Sequence, residues 1–356
     1  MMLSYYAYKI PFKKPFQISN HILKQRNGIL LVYNDGEHQA YGEVAPLPGF
    51  SKESIEEVLS VLLENQKNLE FAFSNNNADQ LISILDNIHN FPSLSFGLDT
   101  LMLDLKSRKE DKLISELLFT AFQPPSVNGA ISIQNVSESL QQAKALLADG
   151  VNTLKIKVGI NHQQEKRVIA ALRENHPAVK IRIDANQAWD IPNAIQNLKD
   201  LAEFEIEYCE QPVSEHDIHA LRKVREAVPI PIAADEAVRS FQKAKELIDA
   251  KACDLLILKP SLFGRIKNCI STKQWVHSNG VEVVLTTTFD TIVGRTMTAI
   301  LASGLGSKKY AHGLDTGRFL NEPYYSQNEI EKAFFLLPTQ PGMLKNIDLS
   351  YLKKIS

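Results

Sequence analysis

The chain is predicted to be an α/β protein, a parallel (β/α) barrel preceded by a smaller α+β unit. Three observations predict this. From about residue 127, short β-branched apolar runs alternate with longer amphipathic stretches, one pair roughly every 25 residues. Eight such runs can be read. Five successive runs close on an ionisable residue, each at the run's C-terminal end. An open sheet can also be built from alternating units, so the period alone does not decide. In a barrel the C-terminal strand ends share one rim, where the active site is built.

The N-terminal third has a different rhythm. Tyr5–Phe12, Asn27–Asp35 and Gln39–Leu47 are β-rich, and Asn34-Asp35-Gly36 reads as a turn. Ser51–Leu69 reads as one helix, with Ser51 or Ser54 as its cap and Glu56 and Glu57 in its first turns. Asn75–Asn77 is a polar break. Phe96–Lys109 carries Leu98, Leu101, Met102 and Leu105 at helical spacing. The eight barrel runs are Asn128–Ile133, Asn152–Gly159, Val179–Asn186, Phe204–Pro212, Ile230–Glu236, Cys253–Pro260, Val281–Thr288 and Lys308–Asp315. The expected division is an α+β domain over 1–95, a barrel over 96–318 and a tail over 319–356 that packs back on the first domain.

The bulk numbers narrow the function. The formal net charge is −2 and the basic residues are scattered, which argues against a nucleic-acid or membrane-surface partner. No apolar run is long enough for a bilayer, and the first residues do not read as a signal peptide. Cys209, Cys253 and Cys269 are odd in number and lack a CxxC spacing. They read as small buried residues in a cytoplasmic protein without disulfides. Oligomeric state is not legible.

The chemistry lies at the strand ends. Lys155 and Lys157 close the second run, Asp184 the third, Glu210 the fourth, Asp235 the fifth and Lys259 the sixth. Any one alone would read as a solvated charge. Six in register do not. Lys155 and Lys157 are two apart, so on a strand they share a side. Three carboxylates without a nearby histidine form a hard oxygen site, suited to Mg2+ or Mn2+ rather than Zn2+. Such an ion on a substrate carboxylate would stabilise the enediolate formed when the adjacent carbon loses its proton. The base must be neutral, and two neighbouring lysines near an ion are each expected to have a depressed pKa. The substrate is then a small anionic carboxylate.

These motifs resemble the enolase superfamily, specifically its muconate-lactonizing-enzyme-like subgroup. The matching stretches are Lys155–Lys157, Asp184–Asn186, Glu210–Pro212, Asp235-Glu236 and Lys259-Pro260, in order and spacing. The resemblance spans nearly the whole chain. It implies a modified (β/α)7β TIM-like barrel with an N-terminal capping domain. It also implies Asp184, Glu210 and Asp235 as metal ligands, Lys157 and Lys259 as bases on opposite faces, and Lys155 in support. Within the subgroup, Gly42–Ser51, Leu23–Gly28, Asp184–Trp189, Lys259–Gly264 and Gly313–Thr316 are most similar to the o-succinylbenzoate synthase family. Its reaction is a syn elimination of water from a succinyl-hydroxy-cyclohexadiene carboxylate in menaquinone biosynthesis. By that resemblance Lys157 removes the proton and returns it to the departing hydroxyl, while Lys259 faces the other side of the ring.

The same resemblance suggests substrate contacts. Two capping loops, His21–Gly28 and Pro46–Ser51, would bring Arg26, Leu47 and Phe50 over the site. Thr286 and Thr287 end the seventh strand, and Asn186 follows a metal strand. Asn186 and Glu236 are also suited to orienting the ligands. Trp189 reads as packing and His312 as structural. Dipeptide epimerases of the subgroup are the nearest rival. They carry an Asp-x-Asp on the last barrel strand, where this chain reads Gly313-Leu314-Asp315. Muconate cycloisomerase is a second rival. A barrel that only binds would have lost a lysine or a carboxylate, and all six are present.

Overall fold

The protein is described by a computed structural model covering residues 2–18, 21–75, 77–325 and 327–356. Asn76, within the expected polar break, lies outside the described residues. The chain begins with an antiparallel meander of β1 (Met2–Ile18), β2 (His21–Asn34) and β3 (Gln39–Val44). The β2–β3 turn is the expected one. Gly36 takes φ +100°, a conformation open to glycine, and its N–H donates to Asn34 Oδ1 at 2.8 Å.

Four helices follow: α1 (Ile55–Glu64), α2 (Gln66–Ser74), α3 (Ala78–Asn87) and α4 (Pro92–Glu110). Ser54 caps α1. Its hydroxyl accepts the Glu57 N–H at 3.2 Å and the Glu57 carboxylate accepts the Ser54 N–H at 2.8 Å. The single helix expected over Ser51–Leu69 is interrupted at Asn65, whose side-chain amide donates back to the Val61 carbonyl at 2.8 Å. Competition of this kind ends helices at asparagine. The long helix α4 lies on the sheet at close range. A Cβ at Gly42 would stand 2.3 Å from the Gly97 carbonyl, and one at Gly97 would stand 2.5 Å from the Glu43 carbonyl. Only glycines permit that approach. Leu31, Val58, Leu62, Phe73, Leu98 and Leu101 form the core between sheet and helices.

After the short α5 (Ile114–Leu118), seven parallel strands alternate with helices. They are β4 (Gly129–Ile131), α6 (Val136–Ala148), β5 (Thr153–Lys157), α7 (His162–Asn175), β6 (Lys180–Asp184), α8 (Ile191–Leu201), β7 (Ile206–Glu210), α9 (Ile218–Ala227), β8 (Ile232–Ala234), α10 (Phe241–Asp249), β9 (Leu255–Leu258), α11 (Pro260–Phe263), α12 (Ile266–Ser278), β10 (Glu282–Leu285) and α13 (Ile292–Leu305). Neighbours in sequence are neighbours in the sheet.

The eighth run differs from the rest. It pairs only through isolated bridges, Val127 with His312 and Thr286 with Gly313. These still link both edges of the sheet: the His312 N–H donates to Ser126 O at 2.7 Å, and the Gly313 N–H to Leu285 O at 3.0 Å. The Leu285 N–H donates at 3.1 Å to His312 Nδ1, so a side chain substitutes for a ladder partner. The tail adds the hairpin β11 (Ile330–Glu331) and β12 (Phe334–Phe335), then β13 (Lys353–Lys354), which pairs antiparallel with β1. The three cysteines are buried free thiols. Among the described residues no helix is long and apolar enough to cross a membrane.

His312 makes stability pH-dependent. Burial, then the charge of Arg182, pushes its pKa down to about 3. In unfolded chains the ring titrates near 6.5. Between these values the unfolded state takes up a proton that the folded state refuses, so stability falls as pH drops through this window and is complete above it. At a pH of about 5 the loss from this group is roughly 2 kcal/mol. Urea unfolding at neutral and mildly acid pH checks this. His312→Gln should shrink the difference, and an unchanged pH dependence in that variant would assign it elsewhere.

Candidate active site

The barrel brings the ionisable strand ends together. Lys157 is paired in register with Asp184, and Asp184 with Glu210. Asp235 and Lys259 each stand one residue beyond β8 and β9. All three carboxylates are nearly inaccessible, with Asp184 at 2%, Glu210 at 1% and Asp235 at 5% exposure. Buried charge of that density needs compensation, and two lysines supply it. The Lys155 ammonium bridges Asp184, at 2.9 Å, and Glu210. The Lys259 ammonium holds Asp235 at 2.5 Å.

The lysines are electrostatically unlike. Burial lowers Lys157; Asp184 pulls the other way, but burial together with repulsion from Lys155 and Lys259 leaves it below the ordinary lysine value. Burial also works against charge on Lys155, but Asp184, Glu210 and Asp235 overcome it and hold the pKa well above the usual value. The expectation that both lysines would be depressed is therefore corrected for Lys155. Lys259 is likewise raised, against burial, by Asp235 and Glu236.

The rim remains rich in negative charge. Burial, with Asp184 and Asp235 adding to it against Lys155, pushes Glu210 up to about 7. Burial and Asp235 push Glu236 to about 7, and Glu236 Oε2 is a buried oxygen without a hydrogen-bond partner. Among the described residues, no three His, Cys, Asp or Glu side chains stand at closed-ligand spacing. With ammonium groups bonded to all three carboxylates, that spacing is not expected. The donor set, all oxygen, buried and under-compensated, fits a hard divalent cation.

The surrounding residues divide by what they touch. Asn186 has φ 41°; its N–H donates to Asp184 Oδ1 at 3.0 Å and its amide to Glu236 Oε1 at 3.0 Å. It thus braces two rim acids. Leu47 is buried, and its carbonyl accepts the N–H groups of Phe50 and Ser51, folding the capping loop into a tight turn. That turn lays the Phe50 ring 5.5 Å from Lys259 Nζ. The Thr286 hydroxyl is buried without a hydrogen-bond partner at the end of the seventh strand. The Thr287 hydroxyl is committed to Thr316 Oγ1 at 2.6 Å. Arg26, expected to reach substrate, is 1% exposed, and its guanidinium donates to the carbonyls of Ala45, Asn27, Pro46 and Phe289. It ties the capping loop to the loop after β10.

Two residues escaped the sequence reading. Gln211, fully buried with φ 34°, accepts the Asp235 N–H at 2.9 Å through its side chain and so fixes that loop. Its signal was available, an uncharged polar residue between Glu210 and Pro212. Arg239 donates to Phe50 O at 2.6 Å and Glu236 O at 2.7 Å. It joins the capping loop to the rim, and nothing in its local sequence marks it.

The family described as enolase C-terminal domain-like matches residues 138–350, and the MenC N-terminal domain matches residues 2–105. An o-succinylbenzoate synthase of Desulfotalea psychrophila is 26% identical, over 89% of this chain and 94% of its own. An L-Ala-D/L-Glu epimerase of Thermotoga maritima is 24% identical, over 88% and 91%. The fold is shared with a dipeptide epimerase of Cytophaga hutchinsonii solved with Mg and D-Ala-L-Val, at a TM-score of 0.87 and 24% identity, covering 99% of this chain and 98% of that one. A barrel with this rim, an N-terminal capping domain and a family match over most of the barrel place the chain in the enolase superfamily.

Proposed function

We propose that this protein is a magnesium-dependent o-succinylbenzoate synthase, a lyase that dehydrates 2-succinyl-6-hydroxy-2,4-cyclohexadiene-1-carboxylate to 2-succinylbenzoate in menaquinone biosynthesis. The observation that carries the proposal is Lys157, a rim lysine whose surroundings favour its neutral form beside three buried carboxylates. Asp184, Glu210 and Asp235 would hold the ion, which when bound supplies positive charge to the substrate carboxylate as the adjacent C–H bond breaks.

The chain's own groups account for the rest. Neutral Lys157 takes the proton from carbon and becomes an ammonium. That ammonium then gives a proton to the departing hydroxyl, so one C–H and one C–O bond break and water leaves. The ring becomes aromatic, which makes the elimination favourable. Lys259, with its charge favoured, serves as a fixed cation facing the other side of the ring. Phe50 beside Lys259, on a loop held by Arg239, closes the site from the capping domain. The match of the MenC N-terminal domain to the capping domain supports the same substrate class.

A second reading is dipeptide epimerisation, favoured by the Thermotoga relative, which is almost as similar over the same extent. One feature weighs against it. Gly313 stands where dipeptide epimerases carry the first acid of their Asp-x-Asp, and Asp315, the acid left on the last barrel segment, is ion-paired with Arg318 at 2.5 Å.

Purified protein with Mg2+ is expected to convert the cyclohexadiene to 2-succinylbenzoate, followed by ultraviolet absorbance. Absence of turnover above background would sink the synthase reading. Exchange of dipeptide α-protons in deuterated water, with no dehydration, would establish the epimerase instead.

A further inference from the structure

A buried polar chain lies beneath the rim. Arg182 stands two residues before Asp184 on β6, on the same face of the strand, and is 0% exposed. Its Nε donates to Glu207 at 3.1 Å, and its Nη1 donates to the Tyr208 hydroxyl at 2.6 Å and to the Ala311 carbonyl at 2.8 Å. The guanidinium also stacks 4.5 Å from the Tyr208 ring centroid. Tyr208 is 0% exposed, and its hydroxyl lies 3.5 Å from Glu210 Oε1.

The strand is deformed to allow this. Between β6 and β7 the register runs from Ile181–Ile206 to Ile183–Cys209, so three steps on β7 oppose two on β6. That bulge brings both Glu207 and Tyr208 to Arg182, while Glu210 keeps its place opposite Asp184. Bulges recur beside active sites, where they re-aim side chains. Barrel interiors are ordinarily filled by Val, Ile and Leu, and a buried ion pair gains little over such packing. Stability alone therefore does not account for the network.

Its proton geometry has a direction. Arginine only donates, so the Tyr208 oxygen is the acceptor toward Arg182 and its own O–H is left to donate to Glu210 Oε1. Lys155 takes Glu210 Oε2. Each oxygen of Glu210 thus has its own partner, and together they fix the carboxylate plane. We propose that Tyr208, oriented by Arg182, is a positioning residue that presents Glu210 to the divalent cation. This rests on the reading of Glu210 as a ligand. Because Arg182 also holds Ala311, the same network ties the weakly paired eighth segment to the rim.

Calorimetric titration of Mg2+ into wild type, Tyr208→Phe and Glu210→Gln tests this. Loss of a group that orients a metal ligand typically weakens binding by about 10- to 100-fold. Tyr208→Phe is expected to weaken Mg2+ roughly 10-fold and to raise the Mg2+ needed for half-maximal activity, with excess Mg2+ restoring the rate. A merely structural role would lower metal-free thermal stability and leave the Mg2+ constant alone. Arg182→Lys, whose single nitrogen cannot hold Glu207 as Nε and Nη2 do while also reaching Tyr208 and Ala311, should act in the same direction and carries the test if Tyr208→Phe folds poorly. Unchanged affinity in Tyr208→Phe beside weakened affinity in Glu210→Gln overturns the positioning role and leaves the ligand reading standing. Unchanged affinity in Glu210→Gln removes both.

Discussion

Lys157→Ala is expected to lower kcat by about 10³-fold while leaving the fold intact, since a positioned acid/base contributes about 10²–10⁴-fold. The substitution removes the group that both accepts and returns the proton. It leaves the three carboxylates, Lys155 and Lys259 in place, so ion and substrate should still bind. Stability should change little, because Lys157 ends its strand and the protein already disfavours its charge. Lys157→Arg should be equally inactive, as a guanidinium does not become neutral in proteins. In the active enzyme the rate should rise with pH as Lys157 loses its proton. The lowered pKa places that rise below the ordinary lysine value of 10.5. Steady-state kinetics against pH, with circular dichroism of each variant, checks both. If Lys157→Ala kept even a tenth of the rate, Lys157 would not be the base.

What could be read in advance followed from local chemistry. Each barrel strand is a short apolar run ended by a charge, so the rim and its chemical order were visible. Spacing put Lys155 and Lys157 on one side of β5, yet it could not separate them. Their difference arises because Asp184 and Glu210, from two other strands, both reach Lys155. The eighth run reads as a strand like the others, and its weak pairing depends on a histidine ring capturing the Leu285 N–H. Asn65 breaks the single helix that the caps and first-turn acids predict over Ser51–Leu69. Arg26 looks like a substrate residue from its loop, and only the fold shows four carbonyls around its guanidinium. The bulge in β7 is silent too, because Glu207 and Tyr208 read as ordinary strand residues.

Asp184→Asn combined with Asp235→Asn is expected to weaken Mg2+ binding by at least about 100-fold, by removing two of three carboxylates from a buried site. The charge facing the ion falls from three carboxylates to Glu210 alone. The same pair of changes distinguishes two explanations for the acidic rim. If the carboxylates serve only to compensate buried lysines, their loss should lower stability without moving the Mg2+ constant. If they serve an ion, wild type should gain about 2.7 kcal/mol of stability at a free Mg2+ concentration near 100 times its Kd, and the double variant should gain almost none. Thermal unfolding with and without Mg2+, beside calorimetry, separates the outcomes. Lys155 and Lys259 now hold the three carboxylates, so any ion must compete with them. Both ammonium groups are held above the ordinary lysine value, so they stay charged through the neutral range and the competition should persist there.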